Sequence, residues 1–249
     1  MKKGICLVLI ITLVLSNFLL ARAGQEELRI AVAANFIRPM GEIAALFEGQ
    51  SGIRVKCSYS STGQLYAQIV NGAPFDLFLA ADQKRPQILF NQGLAGEPFV
   101  YARGQVVLWT ARGDLAAIDA WRTVVERDDV RKIAIPNPET APYGEAAAAI
   151  VRATGLWPVL RKRFVYGQNV AQAFQYGQLG VVDAAFTSFS YGMSPDGAKG
   201  KCWPLAEAES VVQQGCLLNK AQNPAVARQF VDFLLSDQAK NISAAYGYR

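Results

Sequence analysis

Residues 28–47 read LRIAVAANFIRPMGEIAALF, and the order of their patterns decides the fold class. Leu28 to Ala33 is an apolar run of strand length, interrupted by Arg29 alone. Beyond it Met40, Ile43, Ala44 and Phe47 recur with the period of one helical face. Pro39 is tolerated in the first turn of that helix, and Gly49 stands near its end. The same pairing repeats downstream. Ile53 to Tyr59 alternates as a second strand, and Leu65 and Ile69 mark a helix stopped by Asn71-Gly72. Asp76 to Ala80 is a third strand, and Ile88-Leu89-Phe90 ends a helix at Asn91-Gln92-Gly93. Strands alternating with helices predict an α/β sheet whose strands run largely parallel.

A second series follows. Tyr101 to Thr110 is β-rich and long enough to cross from one lobe to another, and Ile133-Ala134-Ile135 starts new strand–helix units. A loop punctuated by Pro136, Pro138 and Pro142 leads into an alanine-rich helix, Glu145 to Thr154, which Gly155 closes. Val170 to Tyr176 reads as a helix and Val181 to Thr187 as a strand. After Cys216-Leu217-Leu218 the chain enters a helix through Asn223-Pro224, with Val226, Phe230, Phe233 and Leu234 on one face.

The first residues carry an export signature: Lys2 and Lys3, the apolar run Ile5 to Leu15, and the A-x-A cleavage pattern Ala21-Arg22-Ala23. The run is shorter than the ~20 residues that span a bilayer. Cys6 lies inside it rather than at its end, which argues against lipid attachment. Residues 1–23 are therefore expected to be a removed signal peptide, and the mature chain to be periplasmic. Cleavage takes Lys2, Lys3 and Arg22 but no acid, so the formal charge of +5 drops by three. That balance is too weak to argue for nucleic acid or a membrane surface. Roughly 226 residues remain, which suits two lobes or one large domain.

The chain has no histidine, which excludes Ser-His-Asp and Cys-His catalysis, and its cysteines lack zinc spacing. Cys202 and Cys216 sit in two strand-like runs and are expected to form a disulfide, closing a loop at about 3 kcal/mol. Cys57 alternates with Val55 and Tyr59 and should pack as a small hydrophobe.

Four junctions look like loops that end where a helix begins: Ala33 to Phe36, Ser60 to Gly63, Ala141 to Gly144, and Gln168 to Val170. A helix start leaves backbone N–H groups unpaired and carries partial positive charge, so it suits an anion. Taken singly, Asn35 or Asn169 is an ordinary helix cap, Ser60 to Gly63 a common helix-start composition, and Val170 ordinary core. Tyr143 is a poor cap, and Gly144 lets a ligand approach the main chain. The first two junctions follow successive strands, at the sheet edge where open α/β folds bind ligands. Convergence of all four would hold a small oxyanion without lysine, arginine or a metal ion.

The motifs Val32 to Phe36, Ser61 to Ile69, Gly72 to Asp82, Pro136 to Pro138, Ala141 to Gly144 and Tyr246 to Tyr248 together resemble the periplasmic molybdate-binding proteins of ABC-type importers. The resemblance runs over nearly all of the mature chain. It implies a two-lobed periplasmic-binding-protein fold, each lobe a mixed, mostly parallel sheet flanked by helices, joined by two crossing segments. Residues 24–104 and 218–249 would form lobe I and residues 105–217 lobe II. It further implies that Asn35 and Thr62 from lobe I and Tyr143 and Val170 from lobe II hold molybdate or tungstate. Some relatives use a tyrosine hydroxyl near the position of Ser188, where this chain has a shorter hydroxyl. The implied protein is a monomer that needs no cofactor and no bare metal cation, and hands its anion to a membrane permease. Alternatives are the same fold around another oxyanion or a small organic anion, a secreted hydrolase using paired carboxylates such as Asp76 and Asp82, and a module that has lost ligand binding.

Overall fold

Strand β1, Glu27–Ala33, is buried along its inner residues and pairs in parallel with β2, Arg54–Ser60, and β3, Leu77–Leu79. This is seen in a computed structural model of the protein, which describes residues 26–205 and 209–249. The expected signal peptide, residues 1–23, lies outside the described residues. Helix α1, Ile37–Ser51, packs Met40, Ile43 and Phe47 on one face of the sheet and ends at Gly52, whose φ of 73° is the left-handed stop that glycine accepts. Helices α2, Thr62–Val70, and α3, Lys84–Asn91, cover the other face through Leu65, Ile69 and Leu89.

The long β-rich run divides at Gln105. Strand β4, Phe99–Gly104, belongs to the first sheet, and β5, Val106–Thr110, to a second. In that second sheet β6, Ile133–Pro136, runs parallel to β7, Phe164–Gly167, and β8, Ala184–Ser188. Strand β5 pairs antiparallel with β8 and with β9, Lys201–Pro204. Strand β8 starts three residues later than the sequence suggests, because Val181 is exposed in the turn before it. Helix α4, Trp121–Glu126, packs Trp121 against Phe186. Helix α5, Pro142–Ala153, packs Ala147, Ala148 and Val151 into the second core, beside the short α6, Trp157–Leu160. Helix α7, Val170–Gln178, lies on the opposite face through Ala173.

After β9 the chain returns. Strand β10, Val211–Leu217, pairs antiparallel with both β3 and β4, giving the orders β2-β1-β3-β10-β4 and β7-β6-β8-β5-β9. Each sheet thus has three parallel strands, and its fourth strand is the one arriving from the other sheet. The expected assignment of residues 211–217 to lobe II is corrected on this point: β10 completes the first sheet, because its ladder partners are Leu77 to Leu79 and Phe99 to Gly104. Helix α8, Phe189–Gly192, follows β8. Helices α9, Pro224–Leu234, and α10, Asp237–Ala245, close the first core with Val226, Phe230 and Ala239.

The expected Cys202–Cys216 disulfide is also corrected. Cys202 sits in β9 of the second sheet, opposite Trp109, and Cys216 in β10 of the first, opposite Phe78. Cys57, Cys202 and Cys216 are all free thiols. Burial pushes Cys202 and Cys216 up to about 12 and Cys57 up to about 11, so all three stay protonated near neutrality.

Candidate functional site

The strand ends of the two sheets face each other across a small cavity of about 10 Å³, bounded by Asn35, Ser61 and Thr62 on one side and Tyr143, Asn169 and Val170 on the other. A cavity needs about 10–15 Å³ on this measure to hold one water, so the space suits a single small ion and not a sugar or peptide. A larger hollow of about 460 Å³ between Arg103, Ser210 and Arg249 has exposed arginines and lies away from the four junctions.

Each wall is built by a helix start. After β1 the chain makes a 3-10 turn, Ala34–Phe36, with Asn35 2% exposed. Thr62 opens α2, and its hydroxyl oxygen accepts from Ala81 N–H at 3.0 Å, which ties the start of α2 to the end of β3. Tyr143 is the second residue of α5. Gly144 follows it because a Cβ there would lie 2.0 Å from the Pro136 carbonyl oxygen, so only glycine lets α5 begin so close to β6. Val170 opens α7, whose cap is Asn169: its side-chain oxygen accepts from Gln172 N–H at 3.1 Å. Among the described residues, the backbone N–H groups of Asn35, Thr62, Tyr143 and Val170 have no protein hydrogen-bond partner. Such starts concentrate donors and partial positive charge.

The cavity has no charged lining residue. Arg85, near the start of α2, is paired with Asp82 and donates to the Glu139 carbonyl oxygen at 3.2 Å. Neither carboxylate of the hydrolase alternative is free for chemistry, since Asp76 accepts from the N–H groups of Arg29 at 2.8 Å and Gln222 at 2.7 Å.

The four expected residues Asn35, Thr62, Tyr143 and Val170 are brought together, but two of their side chains turn away from the cavity. Asn35 donates through its amide to Gln213 Oε1 at 2.7 Å and to the Tyr248 hydroxyl at 3.0 Å. The Tyr143 hydroxyl accepts from Gln213 Nε2 at 3.2 Å. Tyr101 joins by donating to Gln213 Oε1 at 3.1 Å. Burial holds the phenols of Tyr101, Tyr143 and Tyr248 above their ordinary range, so this network stays neutral. Ser188 is not at the cavity. Its hydroxyl lies 2.8 Å from that of Ser190, which donates to the Asn35 carbonyl oxygen at 2.8 Å. Gln213 escapes a sequence reading because it lies far from every junction motif, and Tyr248, though part of the closing motif, shows there no sign of its bond to Asn35.

Comparison with known proteins agrees with this architecture. The model of the family described as bacterial extracellular solute-binding protein matches residues 28–249. The molybdate-binding protein ModA of Azotobacter vinelandii is 38% identical over 237 residues, covering 92% of this chain and 93% of that protein. ModA of Rhodobacter capsulatus is 35% identical over 240 residues, covering 96% and 93%. The solved periplasmic molybdate-binding protein of Azotobacter vinelandii superposes with a TM-score of 0.84 at 35% identity, over 89% of this chain and 98% of that one. The sulfate-binding protein SubI of Mycobacterium tuberculosis, at 13% identity and a TM-score of 0.76, shares the fold. With a match that runs from β1 to the last residue, the chain belongs to the bacterial extracellular solute-binding protein family.

Proposed function

We propose that this protein captures molybdate, and tungstate by the same contacts, between its two lobes and delivers it to the membrane permease of an ABC importer. The observation that carries the reading is the convergence of four helix starts on one small, uncharged cavity. The naming of its 38% and 35% identical relatives for molybdate supports the choice of anion. Main-chain N–H groups of Asn35, Thr62, Tyr143 and Val170 supply the hydrogen bonds, and the helix starts offset the anion's lost hydration. With no fixed cation in the wall, release stays accessible. No carboxylate lines the cavity to accept a proton from the ligand, so hydrogen phosphate would set its O–H against donors. Sulfate carries the same charge and shape as molybdate, and its rejection falls to cavity size. Export by a cleaved leader would place this receptor in the periplasm, acting as a monomer that binds and does not transform its ligand.

Thermal unfolding with molybdate, tungstate, sulfate, phosphate and nitrate tests the reading. A ligand at about 100 times its dissociation constant adds roughly 2.7 kcal/mol, which raises the melting temperature by several degrees. Molybdate and tungstate are expected to stabilise far more than the others. Equal shifts with sulfate would reject size selection, and no shift with any of them would end the receptor reading.

A further inference from the structure

Resting on that reading, we infer that the Ser61 hydroxyl is a direct ligand of the bound oxyanion, donating a side-chain hydrogen bond beside the main-chain donor of Thr62. Three hydroxyls stand in a row at the start of α2, and two are engaged. Ser60 bonds the side chain of Gln64, and Thr62 Oγ1 accepts from Ala81 N–H. Ser61 is 3% exposed, lines the cavity, and its Oγ has no hydrogen-bond partner. Among the described residues Gln214 Oε1 is the other buried side-chain atom in that condition, and Gln214 does not line the cavity.

Ser61 also holds the N-cap position of α2, where serine normally turns its oxygen back to an N–H of the first turn. Its φ of −68° and ψ of 149° permit that, yet it makes no such bond. A hydroxyl stripped of water and left unpaired is unfavourable, and an oxyanion oxygen in the cavity would resolve it. Thr62 keeps its own O–H hydrogen while accepting from Ala81, so adjacent residues present two hydroxyl donors and one free N–H to the same space.

Isothermal titration of the mature protein and its Ser61→Ala and Ser61→Gly variants with molybdate, tungstate and sulfate, together with ligand-free melting curves, tests the assignment. Both variants are expected to bind whichever anion the parent binds about ten- to a hundredfold more weakly. Ligand-free melting temperatures should not fall, since no existing bond is removed and glycine is itself an accepted cap. Variant affinities within twofold of the parent would overturn the role of Ser61 and leave the receptor reading intact. Unchanged affinity with a lowered melting temperature for Ser61→Ala alone would make Ser61 a cap and nothing more. A parent that binds none of the anions would overturn both.

Discussion

Asn35 spends both amide hydrogens inside the protein, on Gln213 and Tyr248, while its carbonyl oxygen accepts from the Tyr248 hydroxyl at 2.6 Å. Gln213 lies in β10, and Tyr248 packs in the first core, so these bonds belong to one lobe and persist whether or not the lobes are closed. Asn35→Ala is therefore expected to cost about 1–3 kcal/mol in the ligand-free protein, the range for stranding buried partners, as read by urea unfolding. The main-chain N–H survives the substitution, so molybdate affinity should fall less than tenfold. A hundredfold loss of affinity with unchanged ligand-free stability would instead put the amide side chain on the anion. That the four junctions are helix starts was legible in the sequence because such starts announce themselves locally, while the choice of Asn35, Thr62, Tyr143 and Val170 within them came from the resemblance. Which atoms they offer was not legible. The direction of the Asn35 amide is set by Gln213, 178 residues away, and the engagement of the Thr62 hydroxyl by Ala81.

At the scale of elements, the units from β1 to α3, and β6, α5 and α7 in the second lobe, were legible from periodicity, since each buries its own apolar face; the short α6 and the half-exposed edge strand β7 were not. Nor was strand β10. Its composition alternates weakly around Gln213 and Gln214, where its register with β4 shifts, and its place in the first sheet depends on partners more than a hundred residues back. The expected disulfide rested on sequence separation and export, and a bridge from Cys202 to Cys216 would tie β9 of one sheet to β10 of the other. Non-reducing peptide mapping after alkylation in denaturant should recover Cys57, Cys202 and Cys216 as separate alkylated thiols. In the native protein all three should react slowly at neutral pH, because burial keeps them protonated and the thiolate is the reactive form. A linked pair of peptides carrying Cys202 and Cys216 would refute the sheet assignment of one of these strands.

The whole molecule is two sheets joined where β4 passes into β5 and where the chain returns between β9 and β10, and the contacts across the cleft combine buried hydrogen bonds with apolar packing of Ala33, Ala34 and Ala81 on the second core. Tyr191 donates to the Ala34 carbonyl oxygen at 3.0 Å, and Arg38 meets Asp196 at 3.3 Å with both side chains about a third exposed or more. An ion pair that open to water contributes little. One close main-chain approach is at Gly63, whose N–H donates to the Thr140 carbonyl oxygen at 2.8 Å. A Cβ on Gly63 would lie 3.0 Å from both the Cα and the carbonyl oxygen of Thr140, main-chain atoms of the facing lobe. Glycine there serves closure and not the fold of its own helix, in which alanine is the better former by roughly 0.8–1 kcal/mol. Gly63→Ala should therefore leave the ligand-free protein as stable as the parent or slightly more so. On the proposed reading, in which capture brings the two lobes together, it should weaken molybdate binding about tenfold, because the added methyl group resists their last few tenths of an ångström. Paired melting curves and titrations separate the two effects. Parent-like affinity in the variant would mean that the lobes can settle around the methyl group, and that closeness at Gly63 does not limit capture.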